Sequence, residues 1–254
     1  MQMPEQLAAM QAAGERLAVA AESAGLAAEV PSCPGWTVRE LLFHTGGVHR
    51  WAATIVAEAR AESVPQVAGD PLRDAQHRPA DERLVGWFAE GHAALVRTLR
   101  EAPRDVACWT FLRAPTPLEF WVRRQTHETT IHRVDAELAA GEQTQVETAV
   151  AMDGIDELLA GFVTRRGGRL RTEQPRTLSV QATDVPAAWH LTVSAEPVVT
   201  VRTDEPCAAD ATLRGAASEL YLALWNRLSF GALDAFGDAE LLGLWPRLVR
   251  VVWG

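Results

Sequence analysis

The segment WVRRQTHETTIHRVDAE, from Trp121 to Glu137, contains three side chains that commonly bind metal ions: His127, Glu128 and His132. It differs from the zinc-protease motif HExxH, because its two histidines are five positions apart rather than four. At about 100° per residue, Glu128 and His132 lie one turn apart on the same face of a helix. His127 falls on the opposite side, nearer solvent. The segment therefore predicts a Glu128–His132 pair and not a zinc-protease helix.

The face that carries this pair is also the apolar face of the helix, which predicts packing into a helical bundle. A carboxylate such as that of Glu128 is costly on a buried face unless a partner neutralises it. Two arrangements meet this requirement: a buried polar network, and a metal ion held between facing helices. The residue pattern leaves both open. The other residues on this face are Leu118, Trp121, Val122, Gln125, Ala136 and Ala139.

A second helix offers a further ligand. The loop VPSCPGWT, residues 30–37, contains two prolines and a glycine, and Thr37 with Glu40 forms a capping box that starts a helix. His44 and His49 lie on opposite edges of the apolar stripe of that helix. Periodicity does not choose between them, and a single histidine at such a position is more commonly a hydrogen-bonded interior residue than a ligand.

Helical patterns fill about the first 165 residues, and strand patterns follow. Thr116, Pro117 and Glu119 form a second capping box, so the helix of the opening segment begins there and ends near Gly141. We expect the other helices at 4–28, from Thr37 to about Ser63 (ended by Pro65, Gly69 and Pro71), from about 80 to before Pro103, and at 145–164, 216–229 and 238–250.

Four segments in the second half have the alternation or clustering of Val, Leu, Trp and Thr that is typical of strands. They are RTLSVQAT, AAWHLTVSA, PVVTVRT and DATLRG, which together span residues 176–215. The fold class is therefore α+β, with a four-helix bundle over residues 1–150 and a smaller α+β domain over 151–254.

Composition excludes several functions. The formal net charge is −9, without the basic surplus of a nucleic-acid-binding protein. No apolar run approaches the ~20 residues that span a bilayer, and the first residues lack the apolar core of a signal peptide. Three scattered cysteines favour a reducing, cytoplasmic location. All 24 basic residues are arginine, which excludes Schiff-base lysine chemistry and a P-loop.

Two segments, VPSCPGWTVRELLFHTGGVHRWAA and RRQTHETTIHRVDAE, resemble the signature segments of the mycothiol-dependent maleylpyruvate isomerase family. GIDELLAGF and LRGAASELYLALWNR resemble parts of the family's C-terminal domain, so the resemblance covers nearly the whole chain. It implies a DinB-like four-helix bundle followed by a sterol-carrier-like domain.

The resemblance also implies a site. In the family a divalent metal ion, usually zinc, is held at the positions of His44, Glu128 and His132. An arginine of the C-terminal domain lies near the active site, and Arg227 is the best match, with Arg214 in reserve. Asp135 is either the residue that orients His132 or a charge on the helix surface, and the second interpretation is slightly favoured.

The function that the resemblance implies is thiol chemistry. Mycothiol would be the thiol cosubstrate, activated on the metal for addition to a small electrophile, either in an isomerase of the maleylpyruvate type or in an S-transferase. The alternatives are a non-catalytic metal- or small-molecule-binding module of the DinB superfamily and a buried Glu–His–His network without metal. We expect no nucleic-acid or membrane partner, and a monomer or homodimer.

Overall fold

The structure, a computed structural model, describes residues 1–63 and 77–251. The chain divides into two compact units, Met1–Thr144 and Gln145–Gly254. The first unit is helical and the second combines helices with a five-stranded sheet, which confirms the α+β class. Among the described helices, none is long and apolar enough to cross a bilayer.

The first unit contains four long helices, each close to its predicted position. The capping residues act as the sequence indicates: the Thr37 backbone N–H donates to Glu40 at 3.0 Å, and the Glu119 N–H donates to Thr116 Oγ1 at 3.2 Å. The second helix ends before its predicted end near Ser63, and the prolines and glycine expected to end it lie outside the described residues. The helices are α1 (Met3–Ala24), α2 (Val38–Ala57), α3 (Asp81–Glu101) and α4 (Pro117–Ala139).

A polar layer divides the apolar core of this unit in two. One apolar cluster includes Met10, Ile55, Leu95 and Trp121, and the other includes Leu17, Leu41, Phe88 and Ala136. Each of the four helices contributes to both clusters, so the residues between the clusters come together in the middle of the bundle. On α2 and α4 those residues include the candidate ligands.

The second unit begins with α5 (Thr148–Asp156), which continues as a wider π-helical turn at Glu157–Phe162 within the predicted helix 145–164. Strands β1 to β4 follow at the four predicted segments. A fifth strand was not predicted. The strands are β1 (Arg176–Ala182), β2 (Ala188–Val193), β3 (Val199–Thr203), β4 (Ala211–Gly215) and β5 (Asp234–Gly237).

The sheet has the order β3-β2-β1-β4-β5. All neighbours are antiparallel except β1 and β4, which are parallel. Helix α6 (Ala217–Leu224) follows β4 and packs against α5, and α7 (Ala239–Leu248) follows β5. The helix predicted over 216–229 is shorter than expected, because Asn226 has a φ of 62° and cannot continue a right-handed helix.

Candidate metal centre

Three candidate ligands from α2 and α4 lie together in the polar layer. Glu128 Oε1 lies 3.5 Å from His44 Nε2 and 3.3 Å from His132 Nε2. One ligand atom of each residue lies within 4.8 Å of those of the other two, and all three residues are buried. The four-residue spacing of Glu128 and His132 puts both on one face of α4, as the sequence predicts.

His44, and not His49, belongs to this cluster. His49 lies deeper, where its Nε2 is 3.0 Å from Thr129 Oγ1 and its ring centroid is 5.1 Å from that of His92. Burial lowers the pKa of His49 well below its usual value, and the charge of His92 acts in the same direction. His49 is therefore a neutral interior histidine. The structure thus separates two histidines that periodicity alone left equivalent.

Asp135 orients His132. Its Oδ2 lies 2.9 Å from His132 Nδ1, and its Oδ1 accepts a hydrogen bond from Ser32. The Cys33 thiol also donates to Oδ2, at 3.6 Å. Asp135 has no exposed surface, so the favoured interpretation of a charge on the helix surface is wrong. Because Nδ1 bonds to Asp135, Nε2 is the nitrogen of His132 that faces Glu128 and His44.

Glu128 also contacts a buried cation. The Arg124 Nη2 group donates to Glu128 Oε2 at 3.2 Å, and the Arg124 side chain is completely buried. Burial alone raises the pKa of Glu128, but hydrogen bonds from His132 and His44 and the charges of His132 and Arg124 outweigh it and hold the pKa well below its usual value. Glu128 is therefore a carboxylate. The sequence pattern did not reveal Arg124, because a search for apolar periodicity gives an arginine no weight.

The ionisation of His132 follows from the same contacts. Burial lowers its pKa, but hydrogen bonds to Asp135 and Glu128 and the charges of both carboxylates raise it to about 9. Without a metal ion, His132 is a cation between two anions at neutral pH. A metal ion bound at Nε2 would take the place of that proton.

The cluster suits a small divalent cation. Glu128 Oε1 is buried, and two imidazole nitrogens face it at 3.3 and 3.5 Å. An oxygen and two nitrogens that face each other in this way form the donor set of catalytic zinc sites, and the same set also suits nickel, iron or manganese. Three protein ligands leave coordination positions for another molecule.

The loop before α2 lies beside the cluster. The ring centroid of Trp36 is 5.0 Å from that of His44, and Ser32 and Cys33 bond to Asp135 as described. Trp51, in contrast, packs against Trp109 and Trp121 in the apolar core.

The other candidates lie elsewhere. His127 is not part of the described cluster, and it is buried, so its predicted position near solvent is wrong. Helix α4 contacts α1, α2 and α3, so more than its apolar stripe is covered.

Arg227 belongs to the second unit and donates from Nη1 to the Trp225 carbonyl at 2.7 Å. The role of Arg227, or of Arg214 in reserve, remains a prediction.

A helical unit with a buried His–Glu–His cluster, followed by an α+β unit, defines a two-unit protein with a candidate catalytic metal centre. Two family profiles match it: the mycothiol maleylpyruvate isomerase N-terminal domain over residues 7–137 and the MDMPI C-terminal domain over residues 149–244. The chain belongs to the mycothiol-dependent maleylpyruvate isomerase family.

Solved structures agree with this assignment at the level of the fold. The crystal structure of the mycothiol-dependent maleylpyruvate isomerase matches with a TM-score of 0.66 and 12% identity, and covers 99% of this chain and 98% of that chain. A histidine-to-alanine mutant of the isomerase matches with a TM-score of 0.65, the same identity and the same coverage. None of the curated protein sequences matches the chain significantly.

Proposed function

We propose that this protein is a metal- and mycothiol-dependent enzyme that activates a thiol for addition to an electrophilic small molecule. The observation that carries the proposal is Glu128 Oε1, a buried carboxylate oxygen that faces two imidazole nitrogens at 3.3 and 3.5 Å. Membership of the family supports mycothiol as the thiol. His44, Glu128 and His132 would hold the metal ion, with zinc as the expected metal.

The residues around the cluster have separate tasks in this proposal. A divalent cation at this position would keep a bound thiol in its thiolate form at neutral pH. His44, Glu128 and His132 would hold that ion, and Asp135 holds the ring of His132 in place for it. Arg227 is the predicted partner for a substrate carboxylate, a task that suits a guanidinium because it can donate two parallel hydrogen bonds.

The proposed reaction begins with attack by the thiolate on the electrophile. The thiolate adds to one carbon of an activated C=C bond, and the electron pair of that bond moves toward the activating carbonyl. If the thiolate leaves after rotation about the new single bond, the product is the geometric isomer, as in the conversion of maleylpyruvate to fumarylpyruvate. If the adduct takes up a proton and is kept, the enzyme is an S-transferase.

Metal content and thiol consumption test the proposal together. The purified protein is expected to contain about one divalent ion per chain, and to consume mycothiol or isomerise maleylpyruvate only with that ion present. His44→Ala is expected to lose both properties. The matched control, His77→Ala, replaces an exposed histidine and is expected to keep both.

The outcomes separate the alternatives. Metal binding without thiol consumption against a panel of electrophiles would indicate a non-catalytic binding module. Wild-type protein that binds no divalent ion would leave a buried Glu–His–His network as the interpretation. Full activity of His44→Ala would contradict the proposed centre.

A further inference from the structure

Arg124 lies one turn before Glu128 on α4, and its charge has no access to solvent. Its side chain is completely buried, and its Nη2 donates to Glu128 Oε2 at 3.2 Å. A guanidinium stays protonated in proteins, so this positive charge is permanent. The ligand carboxylate is therefore paired with a fixed cation on the side away from the two histidines.

The pairing gives the two carboxylate oxygens different roles. Oε2 accepts from Arg124, whereas Oε1 faces His44 and His132. An oxygen already bonded to a guanidinium is a poor second ligand for a metal ion. Glu128 can therefore contribute one oxygen, which leaves more of the coordination sphere for an outside ligand.

The pairing also changes the charge of the centre. Glu128 and Asp135 are two buried anions at the cluster, and a divalent cation would neutralise them. Arg124 adds one positive charge, so the ion and these three side chains together carry a net positive charge. Without Arg124 the charges of the ion, Glu128 and Asp135 would cancel. Since charges interact strongly at short distance in a buried site, this difference favours an anionic ligand over a neutral one.

We propose that Arg124 is a positioning residue that holds Glu128 as a one-oxygen ligand and makes the metal centre select anionic ligands, such as a thiolate, over neutral ones. The inference deepens the proposed function and rests on it, because it requires a metal ion at His44, Glu128 and His132. It is separate from the reaction, because it concerns which ligand binds and not what that ligand then does.

Ligand binding to the cobalt-loaded protein tests this inference by spectroscopy. The visible spectrum of bound Co²⁺ reports the binding of azide, an anion, and of imidazole, a neutral ligand, without turnover. The ratio of azide affinity to imidazole affinity is expected to fall by about tenfold or more in Arg124→Met. In Arg124→Lys, which restores a positive charge, it is expected to stay near the wild-type value. Arg124→Gln keeps a donor for Oε2 without the charge, so it is expected to bind Co²⁺ and lose the preference for azide.

Arg133→Met provides the matched control. Arg133 is also a buried arginine of α4, but its ion pair, at 3.7 Å, is with Glu137 and not with the ligand Glu128. Its replacement is expected to leave the ratio unchanged. If Arg124→Met does not fold, Arg124→Gln carries the test.

The failure of the inference differs from the failure of the proposed function. Wild-type protein that binds no Co²⁺ at the cluster would overturn both. The other outcome concerns wild-type protein that does bind Co²⁺. If the ratio of azide affinity to imidazole affinity then stays within about threefold of the wild-type value in both Arg124→Met and Arg124→Gln, the inference alone is overturned.

Discussion

Asp135 Oδ2 lies 2.9 Å from His132 Nδ1, and both residues are buried. A buried carboxylate only accepts hydrogen bonds, so Nδ1 keeps its hydrogen and Nε2 is left to face Glu128. The same carboxylate accepts from Ser32 and Cys33. One aspartate therefore connects the loop before α2 to the orientation of a candidate metal ligand.

Replacement of Asp135 tests this connection. Asp135→Asn keeps the size of the side chain but removes its charge, so the ring of His132 loses the charged acceptor that holds it and faces only the weaker acceptor of an amide. We expect affinity for Zn²⁺ to fall by about 10–100-fold, as measured by competition with a chromophoric chelator. Glu142→Gln, which changes an exposed acid of the same unit, is the control and is expected to have no effect. Unchanged affinity in Asp135→Asn would show that His132 does not depend on this contact.

The charge of His132 predicts how the stability of the metal-free protein changes with pH. The pKa of His132 is raised from 6.5 to about 9 in the folded state, so folding favours its protonated form. The resulting stabilisation is fully present below pH 6.5 and is lost as pH rises through about 9.

Urea unfolding of metal-free wild type and His132→Gln at pH 6, 7.5 and 9 measures this contribution. The difference in free energy of unfolding between the two proteins is expected to shrink by roughly 3 kcal/mol across this range. A difference that is constant with pH would contradict the assignment of a cationic His132.

Gly14 on α1 is predicted to be intolerant of a side chain. A Cβ at this position would lie 2.2 Å from His92 Nε2, and the ring of His92 is itself packed against the rings of His49 and Phe88. Alanine normally stabilises a helix relative to glycine, but here overpacking is expected to cost about 1–3 kcal/mol.

Chemical denaturation of three variants checks this prediction. Gly86 on α3 has open space around its Cβ position, so Gly86→Ala is the control and is expected to stabilise by up to about 1 kcal/mol. The double variant Gly14→Ala/His92→Ala is expected to be more stable than the sum of its single changes predicts, because removal of the ring relieves the clash. If the two single changes in free energy of unfolding simply add up in the double variant, the cost of Gly14→Ala does not come from contact with His92.

The parts of the fold that the sequence predicted correctly depend on local signals. Thr37 and Thr116 start their helices through side-chain contacts three residues away, and such contacts are visible in the sequence. Strand β5, Asp234–Gly237, has only four residues and pairs with β4, so its formation depends on a partner distant in sequence.

The predictions about the site divide in the same way: those that follow from local spacing were correct, and those that depend on packing between helices were not. Helical spacing placed Glu128 and His132 together, since residues four apart share a face whatever surrounds the helix. It gave the wrong environment for His127 and Asp135, because a helical wheel does not show how many neighbours cover a helix. Arg124 was overlooked for a related reason: an arginine is expected at the surface, and only the folded chain shows that it is buried against Glu128.

The effect of Zn²⁺ on stability provides the last prediction. Zn²⁺ that binds only the folded protein is expected to stabilise it by about 2.7 kcal/mol at a free concentration of 100 times its Kd. Because the ion must displace the Nε2 proton of a His132 whose pKa is about 9, the apparent affinity is expected to be higher at pH 7.5 than at pH 6. The increase in calorimetric Tm that Zn²⁺ causes at each pH measures both effects. His44→Ala is expected to lose this increase in Tm, and His77→Ala is expected to keep it. An equal increase in His44→Ala would mean that the ion binds elsewhere, since His44 supplies one of only three ligand atoms in the described cluster.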